Sequence, residues 1–449
     1  MSELSASKRS IMQMNTFERD APAGGLLARR VANAGAMSIL FYREPLQIVS
    51  AQGAWMQAAD GTRYLDLYNN VPSVGHCHPR VVEAVSAQLG VLNINTRYLN
   101  EGVERYVESL KARLPVALDN VVMTCSGSEA NDLAMRVAER VTGHSGYIVS
   151  ENAYHGNTRA VTEISPASLP AADLPDHVIG VPAPGRRNYG DDVAGGFAAA
   201  VIAAARTLDE RGHGLSALVC DSVFSSDGVF TDPGGFLAPA VDAARAHGGL
   251  YIADEVQPGF ARTGAGFWGY AMHGVTPDMI TLGKPMGNGY PMAALAAPAA
   301  HLELFCADVG YFNTFGGSPV AAAAGQAVLD VIEQEGLLER AATVGAHLAE
   351  RVRHAATLSS AIAEVRGRGL FMGIEIGQQG DPARPDGVAA ARVIDGLRTR
   401  GVLIGAAGTY GNTLKVRPPL CLSLEEADRF ADALEAELAS LQESGRADG

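Results

Sequence analysis

Residues 250–288 read LYIADEVQPGFARTGAGFWGYAMHGVTPDMITLGKPMGN. Two short apolar runs, LYIAD at 250–254 and MITLG at 279–283, each end in turn-forming residues. The first ends on a carboxylate, Asp254, and the second is followed at once by an amine, Lys284. Short apolar runs bounded by Gly and Pro are the pattern of strands buried on both faces. The pattern recurs in VVMT at 121–124, GYIVS at 146–150, HVIGV at 177–181, ALVCD at 217–221 and PMAAL at 291–295. Helical periodicity separates the runs at Glu129–Val141, Gly195–Asp209 and Pro239–His247. Buried strands alternating with helices imply an α/β fold with a mostly parallel central sheet covered on both faces. Ligands of such sheets sit beyond the carboxyl ends of the strands, which is where Asp254 and Lys284 fall.

Outward from this core the pattern changes. Residues 1–37 read as an arm, polar at first and helical around Leu26–Ala36. In LQIVSAQGAWMQAADGTRYLDLY at 46–68, Asp60-Gly61 separates two alternating runs and predicts a tight hairpin. Pro79 opens a helix over Arg80–Leu89 with Val82, Ala84, Val85 and Leu89 on one side, and a second helix is expected over Val103–Leu114. After Ser318 the pattern is helical to about Ala355, then alternating in AIAEVRGRG, LFMGIEI and TLKVRPPLCLS. A last helix is expected over Leu424–Gln442, with Ser423 and Glu426 at capping-box spacing. These readings divide the chain into 1–75 (arm and part of a small domain), 76–320 (large domain) and 321–449 (the rest of a smaller α+β domain built from both termini).

Composition narrows the function. The chain has 449 residues, 47% hydrophobic and 19% charged, enough for two domains sharing an interface. Net charge is −14 and no Lys/Arg cluster occurs, which argues against a nucleic-acid partner. The five cysteines form no C-x-x-C pair and read as buried reduced thiols, with no metal site. No run suits a membrane span and the N-terminus lacks an apolar signal region, so the expected setting is cytoplasmic.

An amine and a carboxylate at neighbouring strand ends suit an aldehyde cofactor with a cationic ring nitrogen, such as pyridoxal phosphate. Desolvation at a strand mouth lowers an amine's pKa and leaves it nucleophilic. A carboxylate beside the pyridine nitrogen keeps it protonated and electron-withdrawing. Gly127 and Ser128, in CSGSEANDLAMRVA at 125–138, would offer free N–H groups and a hydroxyl to a phosphate at a helix start. Tyr154, in YHG at 154–156, is placed to stack on a planar ring, and its neighbour His155 could be read as a general base, although a lysine released from its imine can shuttle the proton itself. Thr314, in NTFGGSP at 313–319, lies in a second Ser/Thr-Gly cluster. Each has an ordinary alternative: surface lysine, turn-capping Asp, N-cap serine, loop anchor or plain turn.

Taken together in this order, CSGSEAND, AYHG, ADEVQ, TLGKPMGNGYP and YFNTFGG resemble the class III aminotransferases of PLP fold type I, over about residues 43–439. NNVPSVGHCHP, NTRYLN and LKVRPPLCLS look most like the branch holding alanine–glyoxylate aminotransferase 2 and the ethanolamine-phosphate phospholyases. The resemblance implies that Lys284 forms the internal aldimine, that Asp254 pairs with the pyridine nitrogen and that Gly127 and Ser128 hold the phosphate. It sets Tyr154 and Val256 on the two ring faces and His155 and Gln257 beside the cofactor. It also implies that Thr314 reaches the phosphate of a neighbouring subunit, hence a homodimer with shared sites. Substrate contacts fall to Tyr68, Lys415 and Arg417.

Two positions depart from common members: Lys415 stands where many carry arginine, and Ser226 where many carry glutamate. The expected reaction is ping-pong transfer of an amino group from an amine or amino acid to a keto acid, pyruvate or 2-oxoglutarate. The alternatives are a phospholyase acting on a phosphorylated amino alcohol, and an amino-acid racemase.

Overall fold

The computed structural model describes residues 10, 13–14, 24–169 and 173–447, so most of the arm lies outside the described residues. The chain enters through β1 (Ile48–Gln52), β2 (Trp55–Ala58) and β3 (Arg63–Asp66), an antiparallel meander. The Asp60-Gly61 turn forms as expected. Gly61 takes a left-handed φ of 89°, and the Asp60 carboxylate accepts the Thr62 N–H at 2.9 Å.

The central sheet contains β4 (Asn120–Thr124), β5 (Gly146–Ser150), β6 (Val178–Val181), β7 (Leu215–Cys220), β8 (Leu250–Asp254), β9 (Met279–Leu282) and β10 (Ala293–Ala297), in the order β4-β10-β9-β8-β7-β5-β6. β5 to β9 run parallel, and β10 runs antiparallel to both of its neighbours. Alternate side chains feed two cores. Tyr147, Val149, Val219 and Ile252 pack with Leu133, Met135 and Val137 of helix Gly127–Thr142. Ile148, Leu218 and Tyr251 pack with Phe197 and Val201 of helix Val193–Glu210 and Val241 of helix Ala238–Ala246. Each such aliphatic side chain contributes about 1.5–3 kcal/mol on burial, so the sheet end that carries the site is rigidly held.

The remaining sheets bring distant segments together. β11 (Ile362–Arg368), β12 (Phe371–Ile376), β14 (Gly405–Ala407) and β15 (Thr413–Val416) form an antiparallel sheet in the order β11-β12-β15-β14. β13 (Val402–Leu403) instead lies parallel to β3, so segments from the two ends of the chain share one sheet. The terminal helix, Leu424–Ala447, has the expected capping box: Ser423 N–H donates to Glu426 Oε2 at 2.9 Å and Glu426 N–H to Ser423 Oγ at 3.1 Å.

Three expectations are corrected. In helix Pro79–Leu89 Ala84 and Val85 pack against the core as expected, but Val81 is the buried residue and Val82 and Leu89 remain 50% and 57% exposed. The helix is apolar on two sides, and only one meets helix Pro319–Gln334. The next helix starts at Glu101, because Asn100 Oδ1 accepts the Gly102 and Val103 N–H groups as its cap. Of the five cysteines, all free, only Cys220 is buried, whereas Cys77 and Cys306 are exposed in loops and at a helix end.

Candidate active site

β8 and β9 lie side by side, with Asp254 in register with Thr281, so the carboxylate and Lys284 leave the sheet at the same end. The loop carrying Lys284 is clamped from the opposite side of the sequence. Ser73 Oγ donates to the Pro285 carbonyl at 2.9 Å. Asn288 accepts the Val74 N–H at 3.0 Å and donates to the Gly75 carbonyl at 2.8 Å. Its φ of 48° is left-handed, a conformation that Asn tolerates better than most residues. Desolvation pulls the Lys284 amine down to about 8, against the opposing pull of the Asp254 charge. Only the unprotonated amine attacks an aldehyde. Covalent capture of pyridoxal phosphate by cofactor-free protein is therefore expected to accelerate as pH rises through about 8 and to level off above it. Stopped-flow absorbance across roughly pH 6 to 10 measures this, and an increase continuing to pH 10 would assign Lys284 an ordinary amine.

Asp254 is buried and both of its oxygens accept hydrogen bonds. Oδ1 accepts the Val256 N–H at 3.0 Å, and Oδ2 accepts His155 Nδ1 at 2.7 Å and Asn131 Nδ2 at 3.2 Å. A carboxylate can only accept here, so Nδ1 carries the His155 proton. Asn131, four residues into helix Gly127–Thr142, also donates to the His155 carbonyl at 2.8 Å and accepts Thr281 Oγ1 at 2.6 Å. One buried amide thus ties together β8, β9 and the Tyr154-His155 loop. Glu255, the adjacent residue, points away and holds Ser222 Oγ and the Gly269 and Tyr270 N–H groups.

The start of helix Gly127–Thr142 is capped by Ser126, not Ser128. Glu129 N–H donates to Ser126 Oγ at 3.2 Å and Ser126 N–H to Glu129 Oε2 at 3.1 Å. Ser128 Oγ instead accepts the Asn157 N–H at 3.1 Å. Position 127 has no room for a side chain, since a Cβ there would sit 2.9 Å from both Val256 methyls. Gly127, Ser128, Tyr154 and His155 line a cavity of about 310 Å³ together with Asp254, Val256, Gln257 and Lys284. A helix start lies at one part of this wall and a carboxylate and an amine at others. The buried His155 Nε2 has no partner among the described residues. These residues fit a flat, phosphate-bearing cofactor with a cationic ring.

The predicted substrate residues converge as well. Tyr68, Lys415 and Arg417 line a smaller space of about 80 Å³ that shares Tyr154, Gln257 and Lys284 with the larger cavity. Arg417 stacks under the Tyr68 ring at 4.5 Å. A Cβ at Gly405 would meet that ring at 2.2 Å, so β14 needs glycine there. Lys415, buried in β15, is held well below the usual amine range by desolvation and then by the Arg417 charge. Ser226, also buried, lines this space with its hydroxyl unpartnered among the described residues. Thr314 is not with the others. It is exposed in an adjoining pocket of about 560 Å³ that shares Cys125, Tyr290 and Pro291 with the Lys284 cavity. Sequence reading missed Asn131, Asp221, Ser225 and Asn152, which the fold brings to the site from three separate segments.

Comparison with known proteins agrees with this geometry. The family profile Aminotransferase class-III matches residues 42–438. The Drosophila melanogaster protein named alanine–glyoxylate aminotransferase 2-like is 38% identical over 87% of this chain and 82% of its own length. Ethanolamine-phosphate phospho-lyase homolog 1 of Caenorhabditis elegans is 35% identical over 89% of this chain and 90% of its own. Among solved structures, a phospholyase from Arthrobacter in complex with phosphoethanolamine is 43% identical and superposes with a TM-score of 0.89, covering 93% of this chain and all of that one.

Proposed function

Because the chain belongs to the class III aminotransferase family, whose members depend on pyridoxal phosphate, we propose that it is a phospholyase acting on a phosphorylated amino alcohol. The observation that carries this reading is the pair of cations, Lys415 and Arg417, in the space beside Lys284, with no carboxylate paired to either among the described residues. A phosphate monoester brings close to two negative charges and a carboxylate one. Two basic side chains with no carboxylate in ion-pair contact match the first better, and a nearby dianion favours the charged form of Lys415. The Arthrobacter relative, crystallised with phosphoethanolamine, supports the same choice.

Pyridoxal phosphate, when bound, supplies an aldehyde that condenses with amines and a ring that takes up the electrons of a bond broken next to the nitrogen. In our reading Gly127 and Ser128 hold its phosphate, Tyr154 and Val256 flank its ring, and Gln257 and His155 border it. Asp254 keeps its ring nitrogen charged. The amine of Lys284 takes the proton from the carbon that bears the substrate nitrogen, and Lys415 and Arg417 hold the substrate phosphate. With the cofactor bound, the bond from the next carbon to the phosphate oxygen would break, phosphate leaving with the electron pair, and the net products, with one water consumed, would be phosphate, an aldehyde and ammonia. Thr314, exposed beside a pocket rimmed by Phe315, would complete the phosphate site of a second subunit, making the working unit a homodimer.

Amino transfer to a keto acid is the second reading, and one observation favours it. Desolvation and the Arg417 charge hold the Lys415 amine well below its usual range, which makes Arg417 the more constant of the two charges, and one charge matches a carboxylate. Incubating the holoenzyme with phosphoethanolamine in the absence of any keto acid separates the two. Stoichiometric phosphate and acetaldehyde over many turnovers, with the cofactor spectrum unchanged at the end, is the expected result. Conversion of the cofactor to its amine form without phosphate release would establish transamination instead.

A further inference from the structure

Arg417 is held in place by a chain of hydrogen bonds that begins just beyond β7. Asp221 Oδ2 accepts Ser225 Oγ at 2.6 Å and the Ser225 N–H at 3.0 Å, which fixes the position of that hydroxyl. Ser225 Oγ in turn accepts Gln257 Nε2 at 2.9 Å. With its NH₂ group engaged there, the Gln257 amide turns its carbonyl oxygen toward Arg417, whose Nη1 donates to it. The order of donors is dictated by chemistry: a guanidinium can only donate, and a serine whose proton goes to a carboxylate can only accept. The Arg417 backbone N–H donates to the Leu67 carbonyl at 2.8 Å, and Tyr68 covers the guanidinium face at 4.5 Å. Ser225 and Gln257 are buried, and the buried Arg417 Nε has no partner among the described residues.

The kind of group at the end of this chain matters. A carboxylate in contact with Arg417 would cancel its charge and compete with an anionic substrate. The neutral amide of Gln257 orients the guanidinium and leaves its charge intact. We propose that Ser225 and Gln257 are positioning residues that keep Arg417 aimed into the substrate space without a neutralising partner, so that the enzyme selects amines bearing an anionic group over neutral ones. This rests on the reading of the Lys415–Arg417 space as the substrate's anion site, and it specifies what makes that site selective.

The test uses holoenzyme carrying Ser225→Ala, Ser225→Thr or Gln257→Glu, with cofactor content checked for each. Dissociation constants are measured for phosphoethanolamine and for ethanolamine from the change in cofactor absorbance, and for inorganic phosphate by calorimetry. Ser225→Ala is expected to weaken phosphoethanolamine and phosphate about tenfold, the worth of one ordering hydrogen bond on a charged group, and to leave ethanolamine unchanged. Ser225→Thr keeps the hydroxyl and is expected to restore anion binding. Gln257→Glu, which places a negative charge on Arg417, is expected to narrow the gap between anionic and neutral amines further. Equal weakening of all ligands, or no change in Ser225→Ala, would overturn the proposal. The two readings fail separately. If no phosphate is released but anion preference still tracks Ser225, the positioning role stands and the phospholyase falls. If phosphate release survives with anion preference indifferent to Ser225, the reverse holds.

Discussion

Lys284→Ala is expected to lower turnover at least about 10,000-fold while leaving the fold and the cofactor cavity in place. The side chain is half-buried at the mouth of β9, and its loop is anchored by Ser73, Pro285 and Asn288 rather than by the amine itself. Removing the amine therefore costs little packing. Among the described residues it removes the one group in the cavity that combines an amine drawn down to about 8 with a position between Asp254 and the Lys415–Arg417 space. Lys415 is no substitute, being in the smaller space beside Arg417. Two measurements decide the matter. Borohydride treatment of wild-type holoenzyme should leave cofactor covalently on the peptide containing residue 284, and the variant should bind cofactor that washes out. Added small primary amines should recover part of the lost rate, because they replace the proton carrier without repairing anything else. Retention of a borohydride-fixed cofactor by Lys284→Ala would assign the attachment to another lysine.

The sheet and its loaded edge are legible in the chain because buried parallel strands leave a continuous apolar signal. Leu250–Asp254 and Gly146–Ser150 fall where those runs begin and end. Asp254 and Lys284 stand out for the same reason: a charged residue ending an apolar run has few structural uses. Asn131 carries no such mark. It is one polar residue in an amphipathic helix, and only the approach of Asp254, His155 and Thr281 from three other segments gives it work. The Asp221–Ser225–Gln257–Arg417 chain is hidden likewise, since its members lie up to almost two hundred positions apart and each is unremarkable locally. Periodicity also misjudges helix Pro79–Leu89. It detects the apolar stripe through Val82 and Leu89 but carries no information on which stripe the chain itself covers. Val91, Tyr98 and Phe315 are exposed as well.

Asp254→Asn is expected to cost about a thousandfold in turnover with cofactor still bound, the scale of losing a preorganised charge in a water-poor site. Asn is nearly the same shape, so the effect isolates charge from volume. The wild-type carboxylate accepts from Val256 N, His155 Nδ1 and Asn131 Nδ2, three donors and no lysine or arginine among the described residues. An Asn side chain can keep the bond from Val256, but its NH₂ group then faces the NH₂ of Asn131. His155 would have to move its proton to Nε2 to accept, which is feasible because Nε2 has no partner of its own among the described residues. The site keeps its shape at the cost of one donor facing another at Asn131, and what it cannot replace is the negative charge. Without that charge the ring nitrogen of a bound cofactor would lose the partner that keeps it protonated, and the ring would withdraw electrons less well from the carbon that Lys284 deprotonates in our reading. A shift in cofactor absorbance, a thousandfold fall in turnover and a dissociation constant changed far less are the expected signature. A variant that keeps wild-type turnover would show that the Asp254 carboxylate only braces His155 and Asn131.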